Sequence, residues 1–228
     1  MRQAKDNLLR AMLWGSAFVS VAVLLTIVGY LFYKGFSYIS FDFIFGDYSP
    51  VGGGGIFPMI VTTIYTIIIS LIIATPIGIL AAVYLHEYAK QGRLVRIIRY
   101  ATESLTGIPS IIYGLFGAVF FVAILKLGMS IIAASLTLTI IVLPVIIRTT
   151  EEALKTVPAS YREGSLALGT TKLQTLYKVI LPSAMPGILS GIILSIGRIV
   201  GESAAIFLTA GTVAAMPESI FSSARTLT

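Results

Sequence analysis

A bundle of helices that cross a membrane is the fold class this sequence predicts, and three observations predict it. The chain has 228 residues, 57% of them hydrophobic and 11% charged, whereas soluble domains carry about 25% charged residues. The shortage is concentrated: 11–33, 48–86, 104–125, 127–147, 183–197 and 203–217 contain no Asp, Glu, Lys or Arg. The basic residues, finally, fall in alternate loops between these stretches. A soluble helical protein would show amphipathic helices with charges every few residues, and chargeless stretches of this length argue against it.

A helix needs about 20 apolar residues to cross a bilayer, and five segments meet that need. Residues 12–33 form the first predicted span. They are too long for the apolar part of a signal peptide, and no small-residue cleavage site follows. The second span is placed at 57–85, which leaves the glycine-rich residues 52–55 outside it. Residues 104–125 and 127–147 form the third and fourth. Residues 183–210 read as a fifth helix with two embedded charges, Arg198 and Glu202. The chain is therefore expected to be an all-α integral membrane protein with a single domain of five spans.

Charge orients the bundle. Arg2, Lys5 and Arg10 precede the first span. Lys90, Arg93, Arg96 and Arg99 follow the second, and Arg148, Lys155, Arg162, Lys172 and Lys178 follow the fourth. The alternate loops hold only Lys34 and Lys126, with Arg225 after the fifth span. The positive-inside rule then puts the N-terminus in the cytoplasm and the end of span five outside. No hydrophobic anchor follows there, so a sixth span is expected beyond residue 228. The net charge of +6 follows topology and does not call for nucleic acid. Cysteine is absent, which excludes disulfides and thiolate metal sites.

The longest cytoplasmic segment, 148–182, reads as helix, turn, helix. Thr149 or Thr150 can cap a short helix that Val157-Pro158 breaks. Pro158 suits the first position of a second helix, Gly169 suits its left-handed end, and Thr170 or Thr171 can cap a third helix that stops at Pro182. A turn-bounded helix with Leu166 and Leu168 can set apolar residues into a partner's groove, with Arg162 and Glu163 in polar surroundings. The pattern alone equally fits an amphipathic helix resting on lipid headgroups.

The spacing in this segment resembles the cytoplasmic signature of ABC-importer permeases: Glu-Ala-Ala, a Gly four residues after the second Ala, and Ile-x-Leu-Pro ten residues beyond that Gly. The matching positions are Glu163, Gly164, Ser165, Gly169, Val179, Leu181 and Pro182. Gly164, Ser165 and Val179 depart from the signature by small changes. The resemblance implies that 159–171 is a coupling helix that docks on an ATPase subunit, with Arg162, Glu163, Gly164, Ser165, Leu166, Gly169, Leu181 and Pro182 as its residues. Residues 54–58, 107–117 and 201–204 narrow the resemblance to phosphate permeases, specifically the A-type subunit. By that resemblance the partners are a second, C-type permease, a dimer of ATP-binding subunits and an extracytoplasmic phosphate-binding protein, in the inner membrane. ATP and magnesium would be held by the ATPase, with no cofactor on this chain and no catalysis by it.

A substrate path can be read from the charges of span five. An Arg at a bilayer centre costs about 2.5–3.5 kcal/mol on insertion scales, so it is expected to face water or a partner. Arg198 and Glu202 are four residues apart and can pair; Ser195 shares their small, polar face. One reading has Arg198 lining an anion path with Glu202 holding it; the other has a buried pair that fixes packing. Gly187/Gly191 and Gly197/Gly201 are spaced for close helix contact. Gly107-Ile108-Pro109-Ser110 opens span three, and its Pro and Gly can leave backbone N–H groups free for an anion, or it is an ordinary helix start. Thr62, Thr66 and Ser70 form a polar stripe suited to path or packing.

The chain has no GxxxxGK[ST] phosphate loop and no HExxH, and its single histidine, His86, stands at a span boundary. The expected function is the permease subunit of an ATP-driven phosphate importer. A permease for molybdate, sulfate or phosphonate, an intramembrane enzyme using Glu202 or His86, and a membrane scaffold without flux are the alternatives.

Overall fold

In the computed structural model, residues 2–49, 54–90 and 92–228 are described, all of them helical or irregular. Gly52 and Gly53 of the glycine-rich segment lie outside the described residues. The chain divides into two compact units, Met1–Phe57 and Pro58–Thr228. Among the described residues, four helices are long and apolar enough to cross a membrane, and a bent pair makes up to five.

In the first unit, α1 (Arg2–Gly35) leaves its large apolar side chains, from Leu8 to Tyr33, exposed. Its hydroxyls do not demand a partner. Ser16, Ser20 and Thr26 each donate to a carbonyl of the preceding turn, those of Leu13, Ser16 and Ala22, so the helix satisfies itself in lipid as a span must. A short 3-10 turn (Phe36–Tyr38) leads to α2 (Phe41–Phe45), which Ser40 caps by accepting from the Phe43 N–H at 3.1 Å.

The second unit is built on α6 (Ile131–Lys155), whose first two-thirds are largely buried. Against it lie α3 (Phe57–Val83), which continues through a wide π-turn (Tyr84–Tyr88), and α5 (Ser110–Gly117), which continues through a second π-turn (Ala118–Ile124). α9 (Leu181–Val200) and the short α10 (Ala204–Thr209) complete it. Small residues let these helices approach. A methyl group on Gly187 would stand 2.5 Å from the Ala153 side chain, and one on Gly191 would stand 2.0 Å from the Thr149 hydroxyl. The Gly187/Gly191 pair thus seats α9 on α6, as its spacing suggests, whereas Gly197 meets nothing within 4 Å. The stripe Thr62, Thr66 and Ser70 is buried, and Ser70 Oγ donates across to the Ser135 carbonyl at 3.1 Å. Thr139 returns a bond to the Ser70 carbonyl. That stripe joins α3 to α6.

The fourth span starts at Ile131 and not at 127, and four larger differences from the sequence-based expectation bear on the site. Span three does not begin at 104: Ser104–Thr106 close a separate helix, α4 (Arg93–Thr106), and the axis turns by 98° before α5. Pro109 blocks helix continuation through the elbow, and a count of charges cannot sense a bend. Residues 148–155 form no separate short helix but prolong α6, because nothing between Pro144 and Val157-Pro158 interrupts it. Thr149 lies inside that helix and donates to the Val145 carbonyl. Thr171 caps α8 (Lys172–Thr175) in a reciprocal pair with Gln174, but the helix does not stop at Pro182. It passes through a π-turn (Leu176–Ile180) into α9, with Pro182 in the first turn, where a missing N–H costs little. Finally, 183–210 is not one helix: Gly201-Glu202-Ser203 separates α9 from α10.

The last residues strap the opposite end of the unit. α6 begins with Ser130 as cap. Its first N–H groups, which no helix can satisfy for itself, reach the carbonyls of Thr209, Ser222 and Ile220 from Ser130, Ile131 and Ile132.

Candidate functional site

The segment 158–175 is a compact bracket. Pro158 stands at the N-cap of α7 (Ala159–Ala167), with Ala159 as the first helical residue. Gly169 adopts φ +82°, the left-handed conformation that ends the helix, and its N–H bonds the Leu166 carbonyl at 2.9 Å. Ser165 is buried. Its hydroxyl lies 2.8 Å from Thr170 Oγ1 and 3.0 Å from Thr175 Oγ1, and the two threonines are 2.9 Å apart. Three hydroxyls therefore close a triangle that locks α7 against α8. The triangle gives the serine at the second alanine position of the signature a role, one that motif spacing does not reveal.

The outer face of α7 carries no such contacts. Glu163 and Gly164 are exposed. Tyr161 is 52% exposed and Leu168 87%. Leu166 is partly exposed on the same helix.

Arg162 faces the other way. Its guanidinium reaches the Glu87 carboxylate in the π-turn after α3, and its Nε is buried without a hydrogen-bond partner among the described residues. His86 Nε2 stands 3.7 Å from the same carboxylate. Beneath α7, a cleft of about 150 Å³ is lined by Glu87, Arg162, Leu166, Lys172 and Thr175 among others. The π-turn that carries Glu87 is held from a second side, where Arg99 bonds the Leu85 carbonyl at 3.4 Å and Glu151 at 3.0 Å. Arg162 thus braces α7 against its own subunit. Leu181 packs into the apolar cluster of Leu176, Ile180 and Ala184, and Pro182 is exposed. The sequence alone assigns no site role to Glu87, Arg99 or Glu151; acidic residues at span ends beside basic loops are the signal for them.

At the opposite end, the expected pair does not form. Arg198 lies in the last turn of α9, half-buried, with no hydrogen bond or ion pair among the described residues. Glu202 lies in the break and is 8% exposed. Its carboxylate accepts the Ala205 N–H at 3.3 Å, and its carbonyl accepts the Thr228 hydroxyl at 2.9 Å. The helix ends between the two charges, so they no longer share a face. Ser195 is fully buried and donates to the Gly191 carbonyl. Ser110 opens α5 half-buried at the elbow. None of these four lines the cavity of about 720 Å³ between α5 and α10, which is walled by Ile111, Ser203, Phe207, Gly211, Arg225 and Thr228 among others.

Apolar helices of spanning length, with a short turn-bounded helix between the last two long ones, fit a membrane transport component. The family described as "Binding-protein-dependent transport system inner membrane component" matches residues 74–227, and the chain belongs to it. It is thus a multi-pass permease subunit of an ABC importer, and membership implies ATPase and substrate-binding partners.

Particular relatives are similar over much of the chain. The "Probable ABC transporter permease protein YqgI" of Bacillus subtilis (strain 168) is 38% identical across 92% of this chain and 72% of its own length. The "Phosphate transport system permease protein PstA" of Mycobacterium leprae (strain TN) is 33% identical across 92% of this chain and 70% of its own. "Phosphate transport system permease protein PstA 1" of Mycobacterium tuberculosis (strain ATCC 25618 / H37Rv) is 40% identical over 69% of this chain, which spans only 51% of that relative. Among solved structures, the MetNI methionine ABC transporter in an inward-facing conformation matches with a TM-score of 0.55 and 28% identity. That match covers 66% of this chain and 70% of the other.

Proposed function

We propose that this chain is the A-type permease of a phosphate importer. It pairs with a C-type permease to form an anion path, and an ATPase dimer docks at 159–171 and holds the ATP and magnesium. An extracytoplasmic phosphate-binding protein delivers the substrate, and the N-terminus lies in the cytoplasm, on the side of the basic loops. The observation that carries the reading is Arg198, a half-buried cation in a membrane helix with no partner of its own subunit among the described residues. A guanidinium binds a phosphate through two parallel hydrogen bonds, and an unneutralised charge in a span is expected to serve a pathway. The phosphate-permease relatives favour phosphate over molybdate, sulfate or phosphonate.

The test is ATP-dependent uptake in cells lacking their own high-affinity phosphate system, with the full-length protein and its partners expressed, comparing wild type with Arg198→Gln. Phosphate uptake that disappears in an assembled variant supports both function and path. Uptake retained in the variant reduces Arg198 to packing, and no uptake by an assembled wild type moves the substrate to another oxyanion.

A further inference from the structure

We propose that α4 is an interfacial helix that lies flat on the bilayer, on the side of the basic loops, and is drawn to anionic phospholipid headgroups by Arg93 and Arg96. Its direction is the first reason. α4 turns 98° away from the helix formed by Ser110–Ile124, so if that helix crosses the bilayer, α4 runs in the membrane plane. Tyr113 fixes this elbow by donating its hydroxyl to the Leu105 carbonyl at 2.8 Å.

The second reason is a three-way division of its surface, given about 3.6 residues per turn. Val95 is buried against the unit, and beside it Arg99 bonds Glu151 and Leu85. Leu94, Ile97, Ile98, Ala101 and Leu105 share a second sector, with Leu94 70% and Ile97 63% exposed. Arg93, Arg96, Tyr100 and Glu103 lie on the remaining sector, with Tyr100 74% exposed. A helix that rests on protein, lipid and water at once needs these three faces.

Charge selects the lipid. Glu103, the only acidic residue of α4, is paired with Arg148 at 3.2 Å. The guanidiniums of Arg93 and Arg96 have no hydrogen bond or ion pair among the described residues, and Lys90 precedes them. An apolar strip bordered by unneutralised cations complements an anionic bilayer surface. Such a surface contributes about 1 kcal/mol per nearby Arg.

The test uses the intact transport complex in bilayers of phosphatidylcholine with and without phosphatidylglycerol. Because the chain has no native cysteine, Ile97→Cys and Tyr100→Cys each accept one spin label on this subunit once any partner cysteines are replaced. The Ile97 label is expected to be open to oxygen and closed to a water-soluble relaxing agent, with the Tyr100 label reversed. An Ile97 label open to the aqueous agent, or closed to both because a protein covers it, overturns the proposal. Retention of phosphatidylglycerol by the complex, read by native mass spectrometry, is expected to fall roughly five-fold for each of Arg93→Gln and Arg96→Gln. Unchanged retention, or loss of the lipid on adding inorganic phosphate, overturns the anionic-lipid assignment.

Discussion

The Arg162 guanidinium of α7 is bonded to the Glu87 carboxylate in the π-turn after α3, residues 75 positions apart in the chain. The contact joins the segment expected to receive the ATPase to the end of a membrane helix. Glu87 is 12% exposed and Arg162 42%. Removing either partner is expected to cost roughly 1–3 kcal/mol, because the other is left partly desolvated. Glu87→Gln and Arg162→Gln should each lower the thermal midpoint of the purified complex and its uptake per ATP hydrolysed. The exchange Glu87→Arg with Arg162→Glu should recover part of both. Uptake per ATP that stays at the wild-type ratio in both single variants would remove the brace from the coupling mechanism.

Gly169 holds φ +82° with nothing within 4 Å of an added methyl group. Substitution there strains the backbone without a clash, at roughly 1–2 kcal/mol for an ordinary side chain. Gly169→Asp adds a carboxylate to the docking face and should reduce copurification of the ATPase. Gly169→Asn, which tolerates the left-handed region, should retain more of it. Full copurification with both variants would count against docking at this turn.

Gly191 and Gly197 separate two uses of glycine on one helix. A methyl at Gly191 would stand 2.0 Å from Thr149 Oγ1, and one at Gly197 meets open space. Gly191→Ala should destabilise the purified subunit by about 1–3 kcal/mol through overpacking. Gly197→Ala should leave its stability unchanged or slightly raised, since alanine is the better helix former. Thermal unfolding in detergent compares them directly.

Arg198 and Glu202 make no ion pair among the described residues, and Glu202 instead caps the N-terminal turn of α10. Glu202→Gln keeps an acceptor for the Ala205 N–H, whereas Glu202→Ala loses it, a cost of about 1 kcal/mol. The effects of Arg198→Gln and Glu202→Gln on phosphate uptake should therefore multiply as independent changes. A double variant no worse than Arg198→Gln alone would restore the pair as a functional unit.

The sequence by itself determined the membrane class, because chargeless stretches add up residue by residue and need no knowledge of neighbours. It also showed the turn-bounded helices of 158–175: Gly169 and Thr171 act through the backbone of their own turn, and Pro158 moves only from the expected first helical position to the cap. The amphipathic period of 93–106 was equally present but was masked by counting Ser104–Thr106 into a span. Only the tertiary structure decided which way the side chains face. It turned Arg162 inward to Glu87, set Gly187 and Gly191 on α6 while leaving Gly197 free, and parted Arg198 from Glu202 by ending a helix between them. Each of those outcomes depends on a partner far along the chain or on a break in the helix axis, and neither is a property of local composition.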